Sequence, residues 1–129
     1  MYLAVTKEKE GHGLENIHID EVLFLETLQN RILVHTTDSV YYVANTLERW
    51  LNAFQAKGQY FELVDRSYIA DLSKVKRLDP TWCRLYFHDD PSVSGKPCNV
   101  ARSNYRIIAK KNQRFKVAPC IPARGLVCR

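Results

Sequence analysis

Hydrophobic residues in this chain recur mostly with a period of two, in short runs interrupted by polar pairs, and that pattern limits the fold more than any other feature. Trp82-Cys-Arg-Leu-Tyr-Phe-His88 is the clearest case. Cys83, Leu85 and Phe87 fall on one face of a strand there, and Arg84, Tyr86 and His88 on the other. Ile17 to Glu26 alternates at first and then turns solidly apolar, which predicts a strand half covered at one end and buried on both faces at the other. Thr27 to Asn30 reads as the polar break of a hairpin, Arg31 to Thr37 as the next strand, Thr37 to Ser39 as a turn, and Val40 to Ala44 as a third strand. Residues 1 to 16 read as a lead segment with at most one strand, Tyr2 to Val5, followed by a loop.

One window breaks the period. Leu47, Trp50, Leu51 and Phe54 stand at i, i+3, i+4 and i+7, which builds one apolar helix face over about residues 46–57. Asn45 with Glu48 three places on predicts a capping box, and Gly58 predicts the left-handed stop. Strands resume at Phe61 to Val64 and Tyr68 to Leu72, with a further short pairing near Val75 and Leu78. A loop is expected over Asp89 to Lys96, and Pro97 to Ala101 should return as a hairpin partner. Ser103 is placed to cap a last basic helix carrying Tyr105, Ile107, Ile108 and Ala109. Pro119 and Pro122 argue for a flexible tail over 115–129. The fold expected is mainly β: an elongated stack of small antiparallel sheets with one amphipathic helix and a short C-terminal basic helix.

The chain has 129 residues, which suits one domain, and its 46% apolar and 26% charged content is that of an ordinary globular protein. No apolar run reaches the length of a membrane span, and the N-terminus lacks the apolar core of a signal peptide, so the expected address is cytoplasmic, with no membrane insertion. Cys83, Cys98, Cys120 and Cys128 have neither metal-ligand spacing nor scaffold density, and Cys83 and Cys98 are expected to pack as small apolar groups in strands. The four histidines are scattered, with no i, i+4 pair, so no metal and no cofactor is expected. No nucleophile, base and orienting group stand in a recognisable context, so the chain does not read as an enzyme.

Charge is unevenly spread. Met1 to Asp65 holds five Lys or Arg against ten Asp or Glu, whereas Arg66 to Arg129 holds fourteen against four. Within that half Arg102, Arg106, Lys110, Lys111, Arg114 and Lys116 follow one another with no acid between them. A one-signed stretch fits a phosphate backbone or an acidic membrane surface, and equally a solvated helix face. The trio Asp65, Arg66 and Ser67 splits two apolar runs and reads as a turn. On residues alone Arg66 is an exposed side chain paired with Asp65, or a side chain working outward, and Arg102 is a helix-start residue or a contact residue.

Val22-Leu-Phe-Leu-Glu26, Tyr41-Tyr42 before Asn45-Thr-Leu-Glu-Arg-Trp-Leu51, Phe61-Glu-Leu-Val-Asp-Arg-Ser-Tyr-Ile69 and Asn99-Val-Ala-Arg-Ser-Asn-Tyr105 resemble, in order and spacing, the LytTR DNA-binding domain of bacterial response regulators. The resemblance covers Ile17 to Lys111, and a domain over 17–114 is expected. It implies a bacterial transcription regulator, with inter-strand loops laid into successive major grooves of double-stranded DNA. It also suggests a homodimer on direct-repeat sites and a regulatory protein partner. Carried over by position, Asn30, Arg31, Arg66 and Arg102 are the expected base contacts. Gln29, Ser67, Ser103, Asn104, Arg106, Lys110 and Lys111 are the expected phosphate contacts. Asp65 departs from the family, which often has His or a neutral or basic residue there. A protein-interaction or sensory module of the same fold, with weak or no DNA binding, is the competing reading.

Overall fold

The alternating segments pair into two antiparallel sheets in the computed structural model, which describes residues 1–89 and 96–115. The larger sheet contains β1 (Tyr2–Thr6), β2 (Leu14–His18), β3 (Val22–Leu28), β4 (Arg31–Thr36), β5 (Val40–Val43), β6 (Phe61–Asp65) and β7 (Tyr68–Asp71), in the order β2-β1-β5-β4-β3-β7-β6. The smaller sheet has β8 (Arg77–Asp79), β9 (Arg84–Tyr86) and β10 (Cys98–Asn99), with β9 in the middle. Two helices complete the fold, α1 (Leu47–Ala56) and α2 (Tyr105–Gln113). The expectation of a mainly β chain with one amphipathic helix and a short C-terminal helix holds. None of the helices among the described residues is long and apolar enough to cross a membrane.

The solidly apolar run of β3 is explained by a core on each side of the large sheet. Leu25, Ile32, Val34 and Ile69 face one side, where Leu47 and Phe54 of α1 meet Leu3, Val5 and Ile17 of the first hairpin. Phe54 packs on Phe61 with ring centroids 4.4 Å apart, both fully buried. Truncating an aromatic in such a place costs about 3–5 kcal/mol. Phe24, Val64 and Ala70 face the other side and meet Leu85 and Cys98 of the small sheet and Ile108 of α2.

Several boundaries differ from the expectation. Ile17 to Glu26 is not one strand: β2 stops at His18, a 3-10 turn spans Ile19–Glu21, and β3 begins at Val22. The His18 ring nitrogen accepts the Asp20 N–H at 3.1 Å, and the Glu21 carboxylate accepts the His18 N–H at 3.0 Å. That reciprocal cap breaks the strand where alternation alone would continue it. Residues 1–16 form a hairpin rather than a strand and loop, Tyr2 to Thr6 pairing with Leu14 to His18. The cap of α1 is Thr46, whose hydroxyl accepts the Arg49 N–H at 3.2 Å, while Asn45 takes a left-handed φ of 83°. Gly58 closes the helix with φ of 77°, as its position predicts.

Ser103 caps nothing. It lies in a 3-10 turn, Arg102–Asn104, and α2 starts without a side-chain cap. Ile107 points outward at 57% exposure, whereas Ile108 is buried in the core and Tyr105 packs half-buried against it. Cys83 sits just before β9 with φ of 52°, yet its side chain keeps the buried face that the alternation predicts. Cys83 and Cys98 are buried free thiols, and burial, with the charges of Glu26 and Asp65, pushes the Cys98 thiol well up from its ordinary range. Cys120, Cys128, the core of the Asp89–Lys96 loop and the tail beyond Phe115 lie outside the described residues.

Candidate nucleic-acid interface

Two tight turns and one strand exit meet at one end of the large sheet. Leu28 pairs with Arg31, leaving Gln29 and Asn30 as a two-residue turn with φ of 50° and 63°. Positive φ at both central positions is the turn whose twist matches a β-hairpin, and Asn tolerates it well. Asp65 pairs with Tyr68, leaving Arg66 and Ser67 as the tip of the β6–β7 hairpin. The Thr27 N–H donates to the Ser67 carbonyl at 2.9 Å, so the two tips are neighbours. The Ala101 N–H donates to the Val64 carbonyl at 2.9 Å along the outer side of β6, which brings Arg102 alongside the same tip.

Arg31, Arg66 and Arg102 are all exposed. Among the described residues none of the three takes part in an ion pair. Asp65 does not hold the Arg66 guanidinium: its carboxylate accepts the Arg66 backbone N–H at 2.8 Å and shapes the turn. Of the two readings the sequence left open, the side-chain pairing with Asp65 is absent and a backbone contact stands in its place, with Arg66 exposed.

The basic helix divides its charges. α2 starts beside β6 at Val64 and runs back to the far end of that strand, where the Phe115 ring meets Tyr60 at 4.7 Å. Arg106 and Lys110 are exposed, whereas Lys111 is half-buried and ion-paired with Glu62 at 3.0 Å. Asn112 is inside, its amide donating to the Leu72 carbonyl at 2.8 Å. Ser103 and Asn104 lie with Arg102 near the tips, and Lys110 and Lys111 sit roughly 10 Å farther along the helix axis.

Behind the tips lies a cluster that sequence reading missed. Glu26 is 2% exposed, and its carboxylate meets His35 at 2.6 Å and Lys96 at 2.6 Å. The Phe24 ring stacks on His35 with centroids 4.2 Å apart. Burial alone would raise the Glu26 pKa, but the hydrogen bonds and charges of His35 and Lys96 together outweigh it and hold the carboxyl below its ordinary range. Burial and the Glu26 charge push the Tyr68 phenol up. A lone carboxylate inside the apolar run of β3 was the available signal, because a charge buried there needs a partner. Lys9 was also missed. It lines a cleft with Asn30 and Arg31, and its acidic neighbours Glu8 and Glu10 hide it in a charge count.

A β-sheet protein that offers arginine, asparagine and serine from adjoining turns, with a rigid core behind them, belongs to the class that binds through loops on a scaffold. The LytTr DNA-binding domain family matches residues 12–113, and the chain belongs to that family. It is accordingly a DNA-binding regulator domain in the general sense of the family, which is not a family of enzymes. The fold is similar to that of the solved LytTr DNA-binding domain of a putative methyl-accepting/DNA response regulator from Bacillus cereus. That likeness has a TM-score of 0.61 and 19% identity, covering 85% of this chain and 96% of the other. No curated protein matches the chain.

Proposed function

We propose that this chain is a sequence-specific regulator that reads the major groove of double-stranded DNA through its turns. Asn30, Arg31, Arg66 and Arg102 contact bases. A guanidinium offers paired donors to guanine O6 and N7, and an asparagine amide matches adenine N6 and N7. Gln29, Ser67, Ser103, Asn104, Arg106, Lys110 and Lys111 contact phosphates and set position without carrying sequence information. Lys111 exchanges Glu62 for a phosphate in this reading. Binding sites are direct repeats occupied by a homodimer, and a regulatory protein controls access in the cytoplasm.

The observation that carries the reading is the convergence of the Gln29–Asn30 turn, the Arg66–Ser67 turn and Arg102 through the Thr27–Ser67 and Ala101–Val64 hydrogen bonds, with exposed guanidinium groups. Selection of bound duplexes from a random library, at two salt concentrations, tests it. The expected result is a short enriched motif that survives the higher salt. Enrichment of no duplex even at low salt would select the protein-interaction module instead.

A further inference from the structure

The turn between β8 and β9 is built on the Asp79 carboxylate. Asp79 accepts the Thr81 N–H at 3.0 Å and the Trp82 N–H at 3.2 Å, and Cys83 takes a left-handed φ of 52°. This geometry sends the Cys83 side chain into the core and leaves Trp82 outside at 66% exposure. The Val100 N–H donates to the Cys83 carbonyl at 2.9 Å, and Ala101 next to it bonds Val64. The turn is thus tied to the strand exit that carries Arg102.

Arg84 follows on β9, between Asp79 and Asn99 in register. Its guanidinium lies 5.8 Å from the Trp82 ring centroid, within reach of a cation–π contact. Asp79 directly across does not form an ion pair with it, since its carboxylate is turned to the two amides. Among the described residues Arg84 has no ion pair at all. The neighbouring Arg77 is committed, stacked 4.4 Å over Tyr86 and donating to the His88 carbonyl at 3.2 Å. A single exposed aromatic needs no explanation. An exposed indole beside an unneutralised guanidinium, continuous with Arg102 and in the half of the chain with excess positive charge, does.

We propose that the outer face of the small sheet is a second DNA-contacting surface, where Arg84 binds a backbone phosphate and Trp82 packs on the adjoining deoxyribose. This rests on the DNA-reading function above and extends its footprint beyond Arg102. The occupant is the duplex backbone because the free group is a cation and the surface joins the proposed reading end.

The test uses the full chain and a duplex enriched from the random library, with Trp82→Ala, Trp82→Phe and Arg84→Ala titrated over a salt series and each variant melted to check folding. Arg84→Ala should weaken binding about fivefold and lower the salt slope by about one, as loss of one phosphate contact does. Trp82→Ala should weaken binding about as much with the slope unchanged, since no counterion is involved, and Trp82→Phe should recover most of it. Trp82 supports no core residue, so its variants still decide the matter should Arg84→Ala melt early. Wild-type affinity in both alanine variants, with Arg102→Ala still weakened, overturns this proposal and leaves the reading function standing. A wild-type chain that binds no duplex overturns both.

Discussion

A guanidinium at a hairpin tip serves a partner only if the fold leaves it unneutralised. Asp65 does not consume the Arg66 guanidinium, because its carboxylate accepts the backbone N–H of the turn. Arg102 takes part in no ion pair among the described residues, and the Ala101–Val64 backbone hydrogen bond anchors its segment without using its side chain. Arg66→Ala and Arg102→Ala should therefore each cost about 1–3 kcal/mol in binding and relax preference at one base pair. Binding of the variants to the selected site and its single-base mutants measures this. An equal loss on every sequence would make them phosphate contacts. That Arg66 sits on a turn was legible from the polar trio splitting two apolar runs. Which donor Asp65 would satisfy was not, because the guanidinium and the amide compete and only the local backbone angles decide between them.

At the scale of elements, the Glu26 cluster ties β3, β4 and the segment entering β10 together just behind the reading turns. The folded Glu26 pKa lies below its unfolded value. Its stabilisation is thus present in full above the unfolded pKa and fades as pH falls through the folded one. Glu26→Gln should cost about 3 kcal/mol at neutral pH, the low end for breaking a buried pair, because Lys96 is half exposed and can turn to water. The gap to wild type should narrow as pH drops through the acid range, in urea titrations at stepped pH. A gap that stays constant would show that charge is not what Glu26 contributes. The β3–β4, β4–β5 and β6–β7 hairpins were readable from the polar breaks between apolar runs, whereas the β1–β2 hairpin was not. The break at Ile19–Glu21 was not, because it carries no Gly or Pro and depends on a histidine acting as a cap. Nor was the Glu26–His35 pair, whose members stand nine residues apart and meet only through the β3–β4 register.

Over the whole molecule, the excess of positive charge after Asp65 is delivered along β6 by α2, from the turns to the far end of the sheet. Affinity should fall steeply with salt, with a log–log slope of about −4 if Arg84, Arg106, Lys110 and Lys111 each displace a counterion. Arg106→Ala should reduce that slope by about one. A flat salt response would remove the phosphate role from α2. The sequence by itself determined most strands from Val22 onward, the amphipathic helix and the tips that carry Asn30 and Arg66, because those follow from period, propensity and short-range turn chemistry; it missed the pairing of Tyr2–Thr6 with Leu14–His18 and the break at Ile19–Glu21. Tertiary structure alone decided that turns 36 residues apart share one end of a sheet, that Lys111 is bound to Glu62 while Arg106 is exposed, and that Trp82 stands outside. Strand order and long-range ion pairs arise from contacts between distant segments, and local pattern carries no information about which segments will meet.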